Sequence, residues 1–106
     1  MRGGAAVLAL AAAFLVAGCG TGGIARGGDQ SRGKQLFAEK CGGCHTLADS
    51  GSHGKVGPNL DQLMPAFARV QRQVINGGAV MPAFKGKLTP AQIKAVATFV
   101  SSSAGK

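Results

Sequence analysis

The chain has 106 residues, of which 45% are hydrophobic and 15% charged, and a formal charge of +8. That length allows one small domain and excludes a two-domain enzyme, a multi-span membrane protein and a fold built around a large pocket. Eighteen glycines and only five aromatics, all Phe, leave little bulky material for a core, so a metal, a cofactor or disulfides are expected as a staple.

Residues 1–18 read as a signal peptide. One Arg precedes Ala5–Ala17 (AAVLALAAAFLVA), an unbroken apolar run of thirteen residues. Such a run is too short for a stable span and suits the central region of a signal. Val16-Ala17-Gly18-Cys19 resembles the lipobox of bacterial lipoproteins, in which the cysteine is lipidated and becomes the new first residue. Plain secretion and an uncleaved anchor are the alternatives, and all three place the domain outside the cytoplasm, in the periplasm or on the outer face of the cytoplasmic membrane.

Cleavage before Cys19 leaves 88 residues with eleven Lys and Arg against four acids, a charge of +7. The basic residues are scattered and no aromatics are interleaved with them. Nucleic-acid binding is therefore not expected. Steering toward an acidic protein or an anionic surface fits better.

Residues 19–30 form a Gly-rich tether, with five glycines in Gly20–Gln30 and a reach of about 18 Å. The folded domain is expected over residues 31–106. Three cysteines are present, Cys19, Cys41 and Cys44. The lipid accounts for the first, and the other two belong to one motif.

Cys41-Gly42-Gly43-Cys44-His45 is a C-x-x-C-H sequence, the attachment signature for c-type haem. Cysteines three apart on a helical turn lie on one side, where they can form thioethers with the two vinyl groups of the porphyrin. His45 follows as the proximal iron ligand, and Gly42 and Gly43 are expected to admit the backbone close to the haem edge. A thioredoxin-type C-x-x-C, a zinc site with Cys41, Cys44, His45 and His53, and a structural disulfide are the competing readings. His53 lies in a polar loop and is expected to be solvated.

The remaining segments are helical or loop-like. Asp29 or Ser31 can cap a helix through Arg32–Cys41, extending to about residue 43. Gly33 in its interior costs about 1 kcal/mol, which a close helix crossing would justify. Met-Pro-Ala-Phe occurs twice, at Met64–Phe67 and Met81–Phe84. Pro65 suits the first turn of a helix over residues 65–76, with Phe67, Val70, Val74 and Ile75 as its apolar stripe and Gly77 as its stop. Met64 then packs at a helix end, whereas Met81 lies in a Gly/Pro-rich loop. Thr89-Pro90-Ala91-Gln92 is a capping box opening a helix over residues 90–102, with Ile93, Val96, Ala97 and Val100 inward and fraying after Ser101. No strand is expected, and the loop from Thr46 to Val56 has no assignable chemistry.

From Ser31 onward the chain resembles a class I, Met/His-ligated bacterial cytochrome c of the small c6/c555 type. The resemblance covers about seventy-five residues and rests on several separated motifs. It implies an all-α fold, about three helices and long loops around one covalent haem c. Gly33 and Phe37 would meet Val96 and Phe99 of the last helix. In Gly57-Pro58-Asn59-Leu60, the Pro58 carbonyl would accept the His45 Nδ1–H and Leu60 would pack on the haem. Met81 would be the distal ligand.

With both axial positions filled, the resemblance implies a one-electron carrier rather than an enzyme. The expected partners are acidic redox proteins or membrane complexes, with a bc-type donor and a terminal oxidase or reaction centre as acceptor. Lys40, Lys55, Lys85 and Lys87 flank the haem-contacting segments and would steer docking. A haem enzyme or gas sensor with a labile distal ligand, or a tethered subunit of a larger redox complex, are the alternatives.

Overall fold

The computed structural model describes residues 29–106. The segment expected to be a signal peptide, the expected lipidation site Cys19 and most of the expected tether lie outside the described residues. Four helices carry the fold: α1 (Gln30–Lys40), α2 (Leu60–Leu63), α3 (Phe67–Asn76) and α4 (Pro90–Ser103). Two short strands, β1 (Thr46–Leu47) and β2 (Ser52–His53), pair antiparallel across a 3-10 turn at Ala48–Ser50.

Helix α1 begins because the Asp29 carboxylate accepts the N–H groups of Ser31 and Arg32 at 3.0 and 3.1 Å. These are orphan donors of the first turn. Asp29 and Gln30, assigned to the tether from sequence, therefore belong to the helical domain. The helix stops at Lys40 rather than near residue 43, and Cys41–Cys44 form a turn.

The α1–α4 crossing forms the centre of the core. A Cβ on Gly33 would run into the Ala95 carbonyl oxygen and come 2.8 Å from Phe99 Cβ. Glycine there lets the two backbones touch, which is the close crossing its helix-interior position called for. Four residues on, Phe37 meets Phe99 with ring centroids 6.1 Å apart at 57°, a tilted aromatic pair. Leu36, Phe37, Ile93, Val96, Ala97 and Val100 are buried around this contact, and α3 adds Val70 and Val74.

Three expectations need correction. The helix expected over residues 65–76 begins at Phe67, with Ala66 as N-cap. Ahead of it lies α2, a single turn capped by Asn59, whose side chain accepts the Gln62 N–H at 3.2 Å. One turn is too short to leave a periodic signal in sequence. Met64 ends α2 in the left-handed region (φ 45°) and is exposed rather than packed at a helix start.

The strands were also unforeseen, since two residues cannot display alternation. The C-terminus does not fray after Ser101. Helix α4 continues to Ser103, Ala104 is buried, and the Gly105 N–H donates to Asp61 Oδ1 at 2.9 Å. Asp61 Oδ2 accepts the Ala48 N–H at 2.8 Å. One carboxylate thus ties the C-terminus, α2 and the 3-10 turn together.

Candidate functional site

A cleft of about 370 Å³ opens between the end of α1, the 56–65 segment, α3, the 78–84 loop and α4. Its lining is predominantly apolar: Phe37, Leu60, Val70, Val74, Phe84, Val96 and Val100 form much of it. Cys41, Cys44, His45, Pro58, Leu60 and Met81 all line the same cleft, so the candidate haem-site residues from sequence are brought to one place. Met64 is not among the lining residues, which separates the two Met-Pro-Ala-Phe copies.

The attachment turn continues α1 by one winding. Cys44 and His45 N–H groups both donate to the Cys41 carbonyl at 3.1 Å. This places both thiols on the cleft. Cys41 is buried and Cys44 exposed, and both are free thiols. Burial, and secondarily the neighbouring Cys44, pushes the Cys41 thiol up to about 12.

His45 is held from both sides. Its Nδ1 lies 2.8 Å from the Pro58 carbonyl oxygen. A carbonyl can only accept, so the proton sits on Nδ1 and Nε2 keeps its lone pair for a metal. A Cβ on Gly57 would come 2.5 Å from the ring Cε1 and 2.8 Å from Nδ1. The Gly57 N–H in turn donates to the Cys44 carbonyl at 2.7 Å, which closes the loop onto the attachment turn. The sequence motif contained Gly57 but gave it no role; its partner, the imidazole, is twelve residues earlier in the chain.

The hairpin of β1 and β2 braces the same turn from behind. A Cβ on Gly42 would collide with Ser52 Oγ, and one on Gly54 would come 2.5 Å from the Cys44 carbonyl carbon. Gly43, by contrast, has no protein atom within 4 Å of such a Cβ. The demand for glycine at 42 thus comes from the hairpin, a different reason from close approach to the haem edge. Ser52 is buried, with its hydroxyl 2.6 Å from Ser50 Oγ. This is the function of the Thr46–Val56 segment that sequence left without one.

Met81 is presented by a tight loop. Gly78 and Met81 exchange backbone hydrogen bonds at 2.9 and 2.7 Å. Gly77 ends α3 with φ 65°, where a Cβ would lie 2.6 Å from the Met81 carbonyl oxygen. The Phe84 N–H returns to the Val74 carbonyl at 2.9 Å, pinning the loop to α3. Met81 is half-buried and packs against the core.

The donor set matches a haem better than a zinc ion. Among the described residues, no group of three or more His, Cys, Asp or Glu side chains could hold a metal ion. His53 is exposed on β2, paired with Thr46. An imidazole and a thioether reaching one apolar cleft from separate segments, with two thiols on the adjoining turn, fit an iron porphyrin. Of the four lysines expected to surround the site, only Lys40 lines the cleft; Arg69 and Gln73, unassigned from sequence, line it too.

Comparison with known proteins agrees with this geometry. Residues 28–100 match the family model described as cytochrome C oxidase, cbb3-type, subunit III. Cytochrome c6 of Gloeothece citriformis is 35% identical over 83 residues, covering 74% of this chain and 76% of the relative. The cbb3-type cytochrome c oxidase subunit FixP of Bradyrhizobium diazoefficiens is 32% identical over 85 residues, 76% of this chain. The match spans only 29% of that subunit's length. Among solved structures, the c-type cytochrome SorU from Sinorhizobium meliloti superposes with a TM-score of 0.68 at 46% identity, covering 73% of this chain and 92% of SorU. Cytochrome c6 from the diatom Phaeodactylum tricornutum gives 0.59 at 32% identity, covering 73% and 95%.

Proposed function

Because the chain belongs to the small class I c-type cytochromes, within the cbb3-type subunit III family, we propose that it is a one-electron carrier working between extracytoplasmic redox partners. When bound, its covalent haem c supplies a single Fe(III)/Fe(II) couple. Cys41 and Cys44 would hold the cofactor by thioethers, and His45 and Met81 would ligate its iron. The observation that carries this assignment is the His45–Pro58 hydrogen bond in a cleft that Met81 also lines.

Each residue has a defined task. Pro58 fixes the tautomer and orientation of His45 and raises its basicity as a ligand. Met81 offers a soft sulfur, which favours the ferrous state, and the apolar lining favours the state of lower charge. Both raise the potential. Leu60, Val70, Val74 and Phe84 exclude water. His45 and Met81 would between them hold the iron from the chain itself, and the one-electron couple it would supply favours an electron carrier over an enzyme.

The basic charge favours acidic partners, such as a bc-type complex as donor and a terminal oxidase or reaction centre as acceptor. The family model and the oxidase-subunit relative favour a second reading, a tethered subunit of one larger complex. The lipobox-like segment supports lipid anchoring through Cys19. Among the described residues, no helix is long and apolar enough to cross a membrane. Redox potentiometry on the purified holoprotein tests the proposal. A single reversible one-electron wave is expected, and a mass without one porphyrin, or a two-electron wave, overturns it.

A further inference from the structure

The loop that presents Met81 is strained at one residue. Gly77, Gly78 and Ala79 follow one another with positive φ, at 65°, 151° and 52°. The two glycines have no side chain to hinder this. Ala79 has a Cβ, which in the left-handed region crowds the following carbonyl oxygen. Among the described residues, only Ala79 and Met64 are non-glycine residues with positive φ.

Hydrogen bonds hold Ala79 in that conformation. The paired bonds between Gly78 and Met81, at 2.9 and 2.7 Å, make Ala79 and Val80 the two central residues of a turn. Positive φ falls on the first of these and not on the second, the pattern of a turn that takes glycine at its first central position. The base of the loop is clamped from α3. Gln73 Nε2 donates to the Gly77 carbonyl at 3.0 Å, and the Phe84 N–H donates to the Val74 carbonyl at 2.9 Å. Among the described residues, no backbone hydrogen bond from another element reaches Ala79 or Val80. The closed turn is therefore kept by the Gly78–Met81 pair and opposed by the strain at its own tip.

Breaking that pair lets Ala79 return to an ordinary φ, and Met81 is one half of the pair. We propose that Ala79 is a positioning residue for Met81: the strain held at Ala79 sets how readily the loop, and the thioether with it, leaves the cleft. Ala79 acts through the backbone and touches no reacting atom. The closed loop remains the dominant state, and the strain enlarges the minor open one. The ferric protein then admits a small neutral nitrogen ligand, such as imidazole, more readily than a glycine at position 79 would allow. The consequence for the iron rests on Met81 as its distal ligand; the strained turn itself does not.

Imidazole titrated into the ferric holoprotein and followed optically reads the open fraction, because a ligand that needs a rare state binds with an apparent Kd raised by that rarity. Ala79→Gly removes the strain, partly offset by the extra freedom of glycine in the open loop. It should raise the apparent Kd by about three- to tenfold. Ala79→Asn, whose side chain tolerates the left-handed region, should raise it by less. Val80→Gly adds the same freedom where φ is not positive, and should leave the Kd unchanged or lower it. Amide hydrogen exchange at Met81, whose N–H donates to the Gly78 carbonyl, should slow in Ala79→Gly by a similar factor. An equal rise in Kd from Val80→Gly, or unchanged affinity and exchange in Ala79→Gly, overturns the proposal. Slowed exchange in a protein that lacks the far-red sulfur–iron band supports the strained turn and counts only against Met81 as ligand. An intact band with unchanged exchange counts only against the strain.

Discussion

Gly57 lies against the imidazole of His45 so closely that a Cβ at position 57 would stand 3.0 Å or less from three ring atoms. The same backbone segment supplies the Pro58 carbonyl that accepts the ring's Nδ1–H at 2.8 Å. Glycine at 57 therefore sets how the imidazole of His45 is held. Gly57→Ala must push the ring or break that hydrogen bond, and losing such a support costs about 10- to 100-fold in metal affinity. Protons compete with iron for Nε2, so the acid midpoint at which His45 leaves the ferric iron should rise by about 1–2 pH units. An optical acid titration checks this, and an unchanged midpoint would show the ring to be fixed by something else.

Gly33→Ala sets two effects against each other. Replacing a helix-interior glycine gains about 1 kcal/mol in propensity. The new methyl, however, collides with the Ala95 carbonyl oxygen, a backbone atom that cannot turn aside. Overpacking of this kind costs about 1–3 kcal/mol and forces α1 from α4. Packing should win, lowering the thermal midpoint of the ferric holoprotein by about 5–10 °C. A midpoint equal to or above the parent's would mean that the crossing has slack.

Asp61 should give stability a distinct acid limit. Its carboxylate is held below the ordinary value of 3.8, first by the Ala48 N–H and then by the Gly105 N–H. A group depressed in the folded state stabilises above its unfolded value, and that stability is lost as pH falls through the folded one. Asp61→Asn should thus be less stable than the parent at neutral pH. The difference should shrink from about pH 4 downward. Denaturant melts across that range measure it; a difference independent of pH would show that the charge plays no part.

Met81 and Met64 share the same local sequence and have different surroundings. Met81 lines the cleft; Met64 is 63% exposed and does not. Met81→Ala should abolish the far-red sulfur–iron band of the ferric protein, and Met64→Ala should leave it intact. The reverse pattern would reassign the distal ligand.

Local chemistry made much of this legible. The C-x-x-C-H turn and the Thr89/Gln92 capping box are contiguous patterns whose geometry depends on neighbouring residues, whereas the Pro58 contact, 13 residues from His45, was expected only from the family resemblance. Gly33 was legible because its cost demanded a compensating contact. Asp61 was not: its donors, Ala48 and Gly105, are 13 and 44 residues away. The β1–β2 brace and α2 were hidden for another reason, being too short to show a period. Pro65 suggested a helix start and instead sits in the cleft wall, because Met64 has already turned left-handed before it.

Carbon monoxide offers the most direct measurement. Added to the dithionite-reduced holoprotein at neutral pH, it should leave the absorption spectrum unchanged, because the proposed ligands His45 and Met81 would together complete the iron's coordination. Rapid conversion to a carbonyl spectrum would reveal a vacant or readily displaced sixth position, and the electron-carrier account would give way to a gas-binding or catalytic one.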